Sequence, residues 1–158
     1  KNLKIYSENE SETSNPDNIL VITLEDNIKA NGKLTDFGSS RNINLIMTNM
    51  TFTKGVGTPK YMAPEVLLKE HYKKPADVYS LAVTFYEALI WNEIYPKNLF
   101  QYPWTIADFV SGGKRRECQN GMNTKAYDII DKMWEQNSEQ RPTVGTTVKL
   151  LKILFDSL

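Results

Sequence analysis

Lys33-Leu34-Thr35-Asp36-Phe37-Gly38 and, further on, Gly57-Thr58-Pro59-Lys60-Tyr61-Met62-Ala63-Pro64-Glu65 are the two stretches whose joint reading decides the fold. The first is an apolar strand running into an Asp and a Gly, which strand-to-turn junctions favour on their own account. Upstream, Ile19 to Leu24 reads as a partner strand for Gly32 to Thr35. Glu25 to Asn31 joins them, a connection longer than a tight hairpin turn. The second stretch leads into a short helix expected over Pro64 to Leu68.

Beyond it the pattern is helical. Val78, Leu81, Ala82, Phe85 and Leu89 fall at offsets 0, 3, 4, 7 and 11, one stripe of a helix expected over Asp77 to Trp91. Asp77, two residues after Pro75, is placed to cap that helix by accepting backbone N–H groups left without partners. Further helices are expected over Trp104 to Ser111, Thr124 to Glu135 and Val144 to Ser157. The last would carry Val144, Val148, Leu151, Phe155 and Leu158 on its apolar face. Asn92 to Pro103 is loop-like, punctuated by Pro96 and Pro103. Residues 1–15 are rich in Ser, Glu and Asn without apolar periodicity, so a disordered polar head is expected there. The fold class is mostly α with a small β-hairpin, one lobe of one domain with no internal repeat.

Composition narrows the function classes. Nineteen basic residues balance nineteen acidic ones, so no overall field favours nucleic acid or an anionic membrane. The clusters Lys69 to Lys74 and Lys114-Arg115-Arg116 read as solvated faces. One cysteine, Cys118, permits no intrachain disulfide and no Cys/His zinc cluster. No apolar run reaches the length of a membrane span and the first residues are not signal-like, so a cytoplasmic, intracellular chain is expected.

Asp36-Phe37-Gly38 opening a segment and Ala63-Pro64-Glu65 closing it, in that order and with the Gly57-Thr58-Pro59-x-Tyr61-Met62 lead-in, resemble the activation segment of a eukaryotic protein kinase of serine/threonine type. Either tripeptide alone is a weak signal; chance does not explain both. Lys74-Pro75-Ala76-Asp77-Val78-Tyr79-Ser80-Leu81-Ala82 is similar to the start of the family's long central helix, Asp-Val-Trp-Ser-Phe-Gly. Tyr79 stands in place of Trp, and Leu81-Ala82 in place of Phe-Gly. The resemblance implies that Asp77 also holds the backbone of the catalytic loop. Trp134 to Thr143 resembles the turn between the family's last helices, whose Arg pairs with the Glu of Ala-Pro-Glu. An architectural ion pair between Arg141 and Glu65 is therefore implied. Arg141-Pro142-Thr143 and the Tyr-rich central helix lean towards the tyrosine-kinase-like group of serine/threonine kinases.

The resemblance implies a partial C-terminal lobe over 16–158, in a family whose parent fold is α+β. Residues 16–38 would form the hairpin with metal-binding ends, 36–65 the activation segment, and 66–158 a helical subdomain. Pro16-Asp17-Asn18-Ile19-Leu20-Val21 looks like the end of His-Arg-Asp-Leu-Lys-Pro-x-Asn and its following strand, so Asn18 and Asp36 match the family's magnesium and cofactor ligands. Asp36, Phe37, Gly38, Gly57, Thr58, Pro59, Ala63, Pro64 and Glu65 match the segment that docks protein substrate. Counting back from Asn18 puts Asn15 at the Lys position, Thr13 at the catalytic Asp position, Glu12 at the Arg position and Ser11 at the His position. A neutral Thr cannot act as a carboxylate base, Asn15 carries no charge for the transferring phosphoryl group, and Glu12 offers no cation to a phosphorylated segment.

The family's Gly-rich loop, N-lobe Lys and its Glu partner are also not found in the sequence, and no Walker-type loop replaces them. Magnesium and ATP are the cofactors of the intact family, and weak or absent binding is expected of this chain alone. Two functions are in view. One is a fragment of a protein kinase that phosphorylates Ser or Thr with ATP, catalytically deficient as it stands. The other is a non-catalytic, pseudokinase-like module that binds a protein partner, or the product of a truncated gene model. Residues 1–15 cannot replace the helix that normally covers the central one, so an apolar strip between Val78 and Leu89 is expected to be poorly covered. Lys1 in place of Met is expected of a piece of something longer, or of a gene model with a wrong first exon.

Overall fold

Two short antiparallel ladders precede a helical body. Strand β1 (Glu10–Ser11) pairs with β4 (Arg41–Asn42), and β2 (Ile19–Val21) pairs with β3 (Gly32–Leu34) in the register Ile19↔Leu34, Leu20↔Lys33, Val21↔Gly32. The computed structural model describes residues 10–11, 19–23, 32–35, 41–42, 59–68, 70 and 74–157. The hairpin is present with strands shorter than the sequence reading. Ile22, Thr23 and Thr35 lie beyond the paired residues. Glu10–Ser11, the two described residues of the stretch 1–15, have strand geometry, for which Arg41–Asn42 supplies backbone partners that no local periodicity announces.

The helical body contains α1 (Pro64–Leu67), α2 (Pro75–Ile90), α3 (Pro103–Ser111), α4 (Thr124–Met133) and α5 (Val144–Asp156), with 3-10 turns at Pro59–Tyr61 and Ser138–Gln140. Three of these helices begin with Pro at the first position, where the missing N–H costs no intrahelical bond. Side chains cap the other two. Asn123 accepts from the Ala126 amide at 3.1 Å, and Thr143 from the Thr146 amide at 3.2 Å. Asp77 is not the cap of α2. Lys74 already has helical backbone angles and Pro75 takes the first position, so Asp77 sits in the first turn, where its charge still complements the helix dipole. At the far end Trp91 takes a left-handed conformation (φ 48°) and ends the helix at Ile90.

Helix α2 is the centre of the core. Tyr79, Val83 and Tyr86 are fully buried on one side, and Val78 and Ala82 on the adjoining one. Tyr86 packs against the rings of Trp134 and Tyr127 (centroids 5.3 and 6.4 Å) where α4 crosses, and α5 covers α4. A second aromatic group, Tyr95, Phe100 and Phe109, joins α3 to the loop after α2 through edge-on contacts of 5.0–6.2 Å. Of the stripe read from the sequence, Val78 and Ala82 are buried, Leu81 and Phe85 are only partly covered, and Leu89 is exposed. The buried face is thus rotated towards Tyr79 and Tyr86, whose polar hydroxyls hid their weight in an apolar count. Helix α5 differs similarly. Thr147 is its buried residue, its hydroxyl satisfied by the Thr143 carbonyl at 3.0 Å, while Phe155 is exposed and Leu158 lies outside the described residues.

Arg141 ties the ends of this body together. Its guanidinium forms two 2.7 Å bonds to the two oxygens of Glu65 and donates to the carbonyls of Pro75 (3.0 Å) and Glu135 (2.8 Å). A buried fork of this kind fits a carboxylate bidentately, which Lys cannot do.

Arg115 is likewise no solvated residue. A left-handed Gly113 after α3, with the Lys114 amide donating to Phe109 and the Gly113 amide to Val110, turns the chain back into the body. Arg115 then donates to the carbonyls of Trp134, Val110 and Lys114 and to the Gln136 side chain. Its guanidinium lies over one part of the Tyr79 ring (5.1 Å), and Arg141 over another (5.2 Å).

Removing one member of the buried pair, as in Glu65→Ala or Arg141→Ala, is expected to cost about 3–5 kcal/mol in urea unfolding, because the other charge stays desolvated. The double variant Glu65→Ala/Arg141→Ala should cost less than the two single changes added together. Additivity would show that the two side chains do not act as a pair.

Burial also raises the phenol pKa of Tyr79, Tyr86 and Tyr95. That of Tyr127 is pushed up to about 12 by desolvation first and the Asp131 charge second. The folded state therefore keeps phenol protons that the unfolded chain releases near its ordinary value of 10.0. Stability from this source is full below pH 10 and falls as pH rises towards 12. Melting temperatures should drop across that window, less steeply for Tyr127→Phe.

Candidate functional site

The end of the candidate docking segment is held by helix α2 through a line of polar side chains. Ser80 donates to the Tyr61 carbonyl at 2.8 Å and shares its proton with the Ala76 carbonyl at 3.2 Å. Two turns further, the Glu87 carboxylate accepts from the Tyr61 hydroxyl (2.8 Å) on one oxygen. On the other it accepts from the Ile94 amide (2.8 Å) and meets the Lys60 ammonium (2.7 Å). Ser80 and Glu87 are seven residues apart and so lie on one helix face. Both are sheltered, so these bonds operate where water competes weakly. Lys60 also lies over the Tyr61 ring at 5.2 Å.

From Pro59 to Leu68 the chain is consequently fixed at both ends. Met62 donates back to the Pro59 carbonyl at 3.1 Å, closing the turn, and Ala63 is buried. Helix α1 follows, with Glu65 held by Arg141, and the Glu70 amide donates to the Glu65 carbonyl at 2.8 Å. Helix α3 packs on both the 59–61 turn and α1. The result is a rigid surface with its internal polar groups satisfied. Its one aromatic side chain, Tyr61, is buried, and no described side chain in it is arranged as a nucleophile or proton-transferring base.

Of the site residues read from the sequence, Pro59, Ala63, Pro64 and Glu65 lie in this segment, the last three buried, and Asp77 and Arg141 lie in the body behind it. Thr13, Asn15, Asn18, Asp36, Phe37, Gly38, Gly57 and Thr58 lie outside the described residues. The Ile19↔Leu34 pairing puts Ile19 and Leu34 at one end of the β2–β3 ladder. Among the described residues no group of three or more His, Cys, Asp or Glu side chains is placed to hold a metal ion. No described helix is long and apolar enough to cross a membrane.

Sequence reasoning missed Ser80 and Glu87. Their signal was available as polar residues at i and i+7 on a helix otherwise read for its apolar stripe.

The family model described as "Protein kinase domain" matches residues 15–152. The chain is 35% identical over 124 residues to the probable serine/threonine-protein kinase gdt9 of Dictyostelium discoideum, an alignment covering 78% of this chain and 8% of the relative. It is 33% identical over 127 residues to the RGS domain-containing serine/threonine-protein kinase A of the same organism, covering 80% of the chain and 11% of the relative. The serine/threonine-protein kinase VIK of Arabidopsis thaliana is 32% identical over 129 residues, covering 80% and 29%. The chain thus spans about a tenth of the length of the two Dictyostelium relatives and 29% of the Arabidopsis one.

Removing the Glu87 carboxylate should loosen the 59–61 turn without unfolding the body. Glu87→Ala is expected to cost about 1–3 kcal/mol, the range for stranding buried donors. Hydrogen exchange followed by mass spectrometry should report faster exchange at the Ile94 amide and across 59–62. Exchange equal to the parent protein at those amides would show that Glu87 does not hold the turn.

Proposed function

Because the chain belongs to the protein kinase domain family, we propose that it works as a kinase-like C-terminal lobe that presents a protein-docking surface and does not transfer phosphate unaided. The observation that carries this reading is Thr13 at the position where the family has its catalytic Asp. A hydroxyl with an alcohol's acidity cannot take a proton from a substrate Ser or Thr at neutral pH. Asn15 at the family's Lys position removes a second contribution, the positive charge that would meet the transferring phosphoryl group. The fixed 59–68 surface supports the docking half of the proposal, since a preorganised surface loses little entropy when a partner binds.

The kinase family generally uses ATP and magnesium. Asn18 and Asp36 would hold the metal here, and their donor set, an amide oxygen and a carboxylate, suits a hard cation. A magnesium ion in that place supplies charge neutralisation to nucleotide phosphates. The chain's own share would be the two oxygen ligands. An intracellular location goes with this reading, and a protein segment is its partner.

The small fraction of each relative that the chain spans favours a second reading, a piece of a larger kinase whose other segments supply the phosphate-binding loop and its Lys. A titration of the purified chain with ATP and magnesium tests both, following thermal stability alongside phosphate transfer to a generic Ser/Thr substrate. The expected outcome is neither transfer nor more than slight stabilisation. Transfer by the isolated chain would overturn the assignment of Thr13 and Asn15 as disabling.

A further inference from the structure

Helix α3 turns one face inward and leaves an organised face in water. Ile106 and Val110 are buried, and Phe109 joins Tyr95 and Phe100 in the aromatic group behind the helix, so its position is fixed by packing. On the outside, Tyr102 and Trp104 stack face to face with centroids 4.3 Å apart and planes within 6°. They remain 44% and 59% exposed, and Leu99, in the turn before them, is 62% exposed. Soluble proteins seldom leave adjacent large rings in water without a use. Stacking against each other holds both rings in one orientation, so a partner meets a flat surface that is already ordered.

The charge beside this surface selects the partner. Asp108 follows Trp104 by four residues, which places the two side chains on the same helix face about 5–6 Å apart at Cβ. Asp108 is exposed, and its carboxylate pairs with no described residue. No described cation lies over Tyr102 or Trp104, although Lys60, Arg115 and Arg141 all lie over tyrosine rings elsewhere. Lys97, the nearest cation along the chain, stands in the turn beginning at Pro96. A guanidinium laid on the indole face can donate to the carboxylate at its edge, a combination that an ammonium meets only as a point charge.

We infer that the Tyr102–Trp104 stack and Asp108 form a docking surface for an arginine-bearing segment of a partner protein. The arginine lies over Trp104 and pairs with Asp108, and apolar neighbours of that arginine cover Leu99. The inference rests on the protein-binding reading above and names its surface and the chemistry of its partner. Helix α3, which carries this surface, packs against the 59–61 turn and α1.

The test is selection of displayed random peptides on the whole folded chain, followed by affinity measurement with the recovered sequences. Recovered peptides should be enriched in arginine. Replacing that arginine by citrulline, or the protein's Trp104 by Ala or Asp108 by Asn, should each weaken binding by about fivefold or more. Trp91→Ala, which removes a ring that is 94% exposed outside this surface, should leave binding unchanged and so excludes indiscriminate adhesion to aromatics. Peptides that bind without arginine enrichment, or with no loss on Trp104→Ala and Asp108→Asn, would overturn this surface and leave the protein-binding reading standing. Recovery of no binder by the folded chain would overturn both.

Discussion

Helix α2 meets the rest of the molecule on several sides at once, and the positions of the other helices follow from what it must bury. Tyr79 and Tyr86 are large and almost wholly withdrawn from water, so each needs an aromatic or cationic surface that matches its ring. Trp134 and Tyr127 supply it for Tyr86, and the guanidinium groups of Arg115 and Arg141 supply it for Tyr79. The hydroxyls constrain the loops as well. Tyr86 donates to the Glu117 carbonyl at 2.7 Å and Tyr127 to the Arg116 carbonyl at 3.0 Å, which pins the segment between α3 and α4. The Tyr79 hydroxyl, beside Tyr95, is buried without a well-formed bond, a local loss of polar satisfaction that the ring's packing offsets.

The same helix connects stability to function. Its inner face holds the core, while Ser80 and Glu87 hold the segment that a protein partner would meet. That segment is joined to the core by Tyr61 and Ala63, which are buried in it, and by the Glu65–Arg141 pair, as well as by these two polar anchors. A substitution at Ser80 or Glu87 alters the 59–61 turn from behind. Apolar contact sets where the helix lies, and hydrogen bonds set what it carries.

How far the fold was legible depended on the kind of signal. The helices were readable because periodicity and proline positions are local; their ends were off by one or two residues where a backbone conformation, such as that of Trp91, decided the boundary. The inward face of α2 was less legible, because tyrosine counts as polar in pattern reading yet buries a large ring. The Glu65–Arg141 contact has no local signature across its separation of 76 residues; only a family resemblance proposed it. Glu10–Ser11 pairing with Arg41–Asn42 was illegible for the same reason, since strand partners distant in sequence leave no mark on either segment. The candidate docking surface was only partly read. The motif marked its residues, and the polar line that fixes them was hidden within an apolar helix.

The Glu65–Arg141 separation has a consequence for how the chain is made. During synthesis the Glu65 side chain emerges well before Arg141, and at about 5–20 residues per second the ribosome needs roughly 4–15 s to add the 76 residues from Val66 to Arg141. Until then the carboxylate has no guanidinium partner to compensate its desolvation, so α1 and the front of α2 have reason to remain hydrated. Closure of the lobe is thereby deferred until the turn before α5 has been made. A nascent chain halted short of Arg141 would present the unburied side of α2 to the quality-control machinery, and its fate would be decided there before any partner was met.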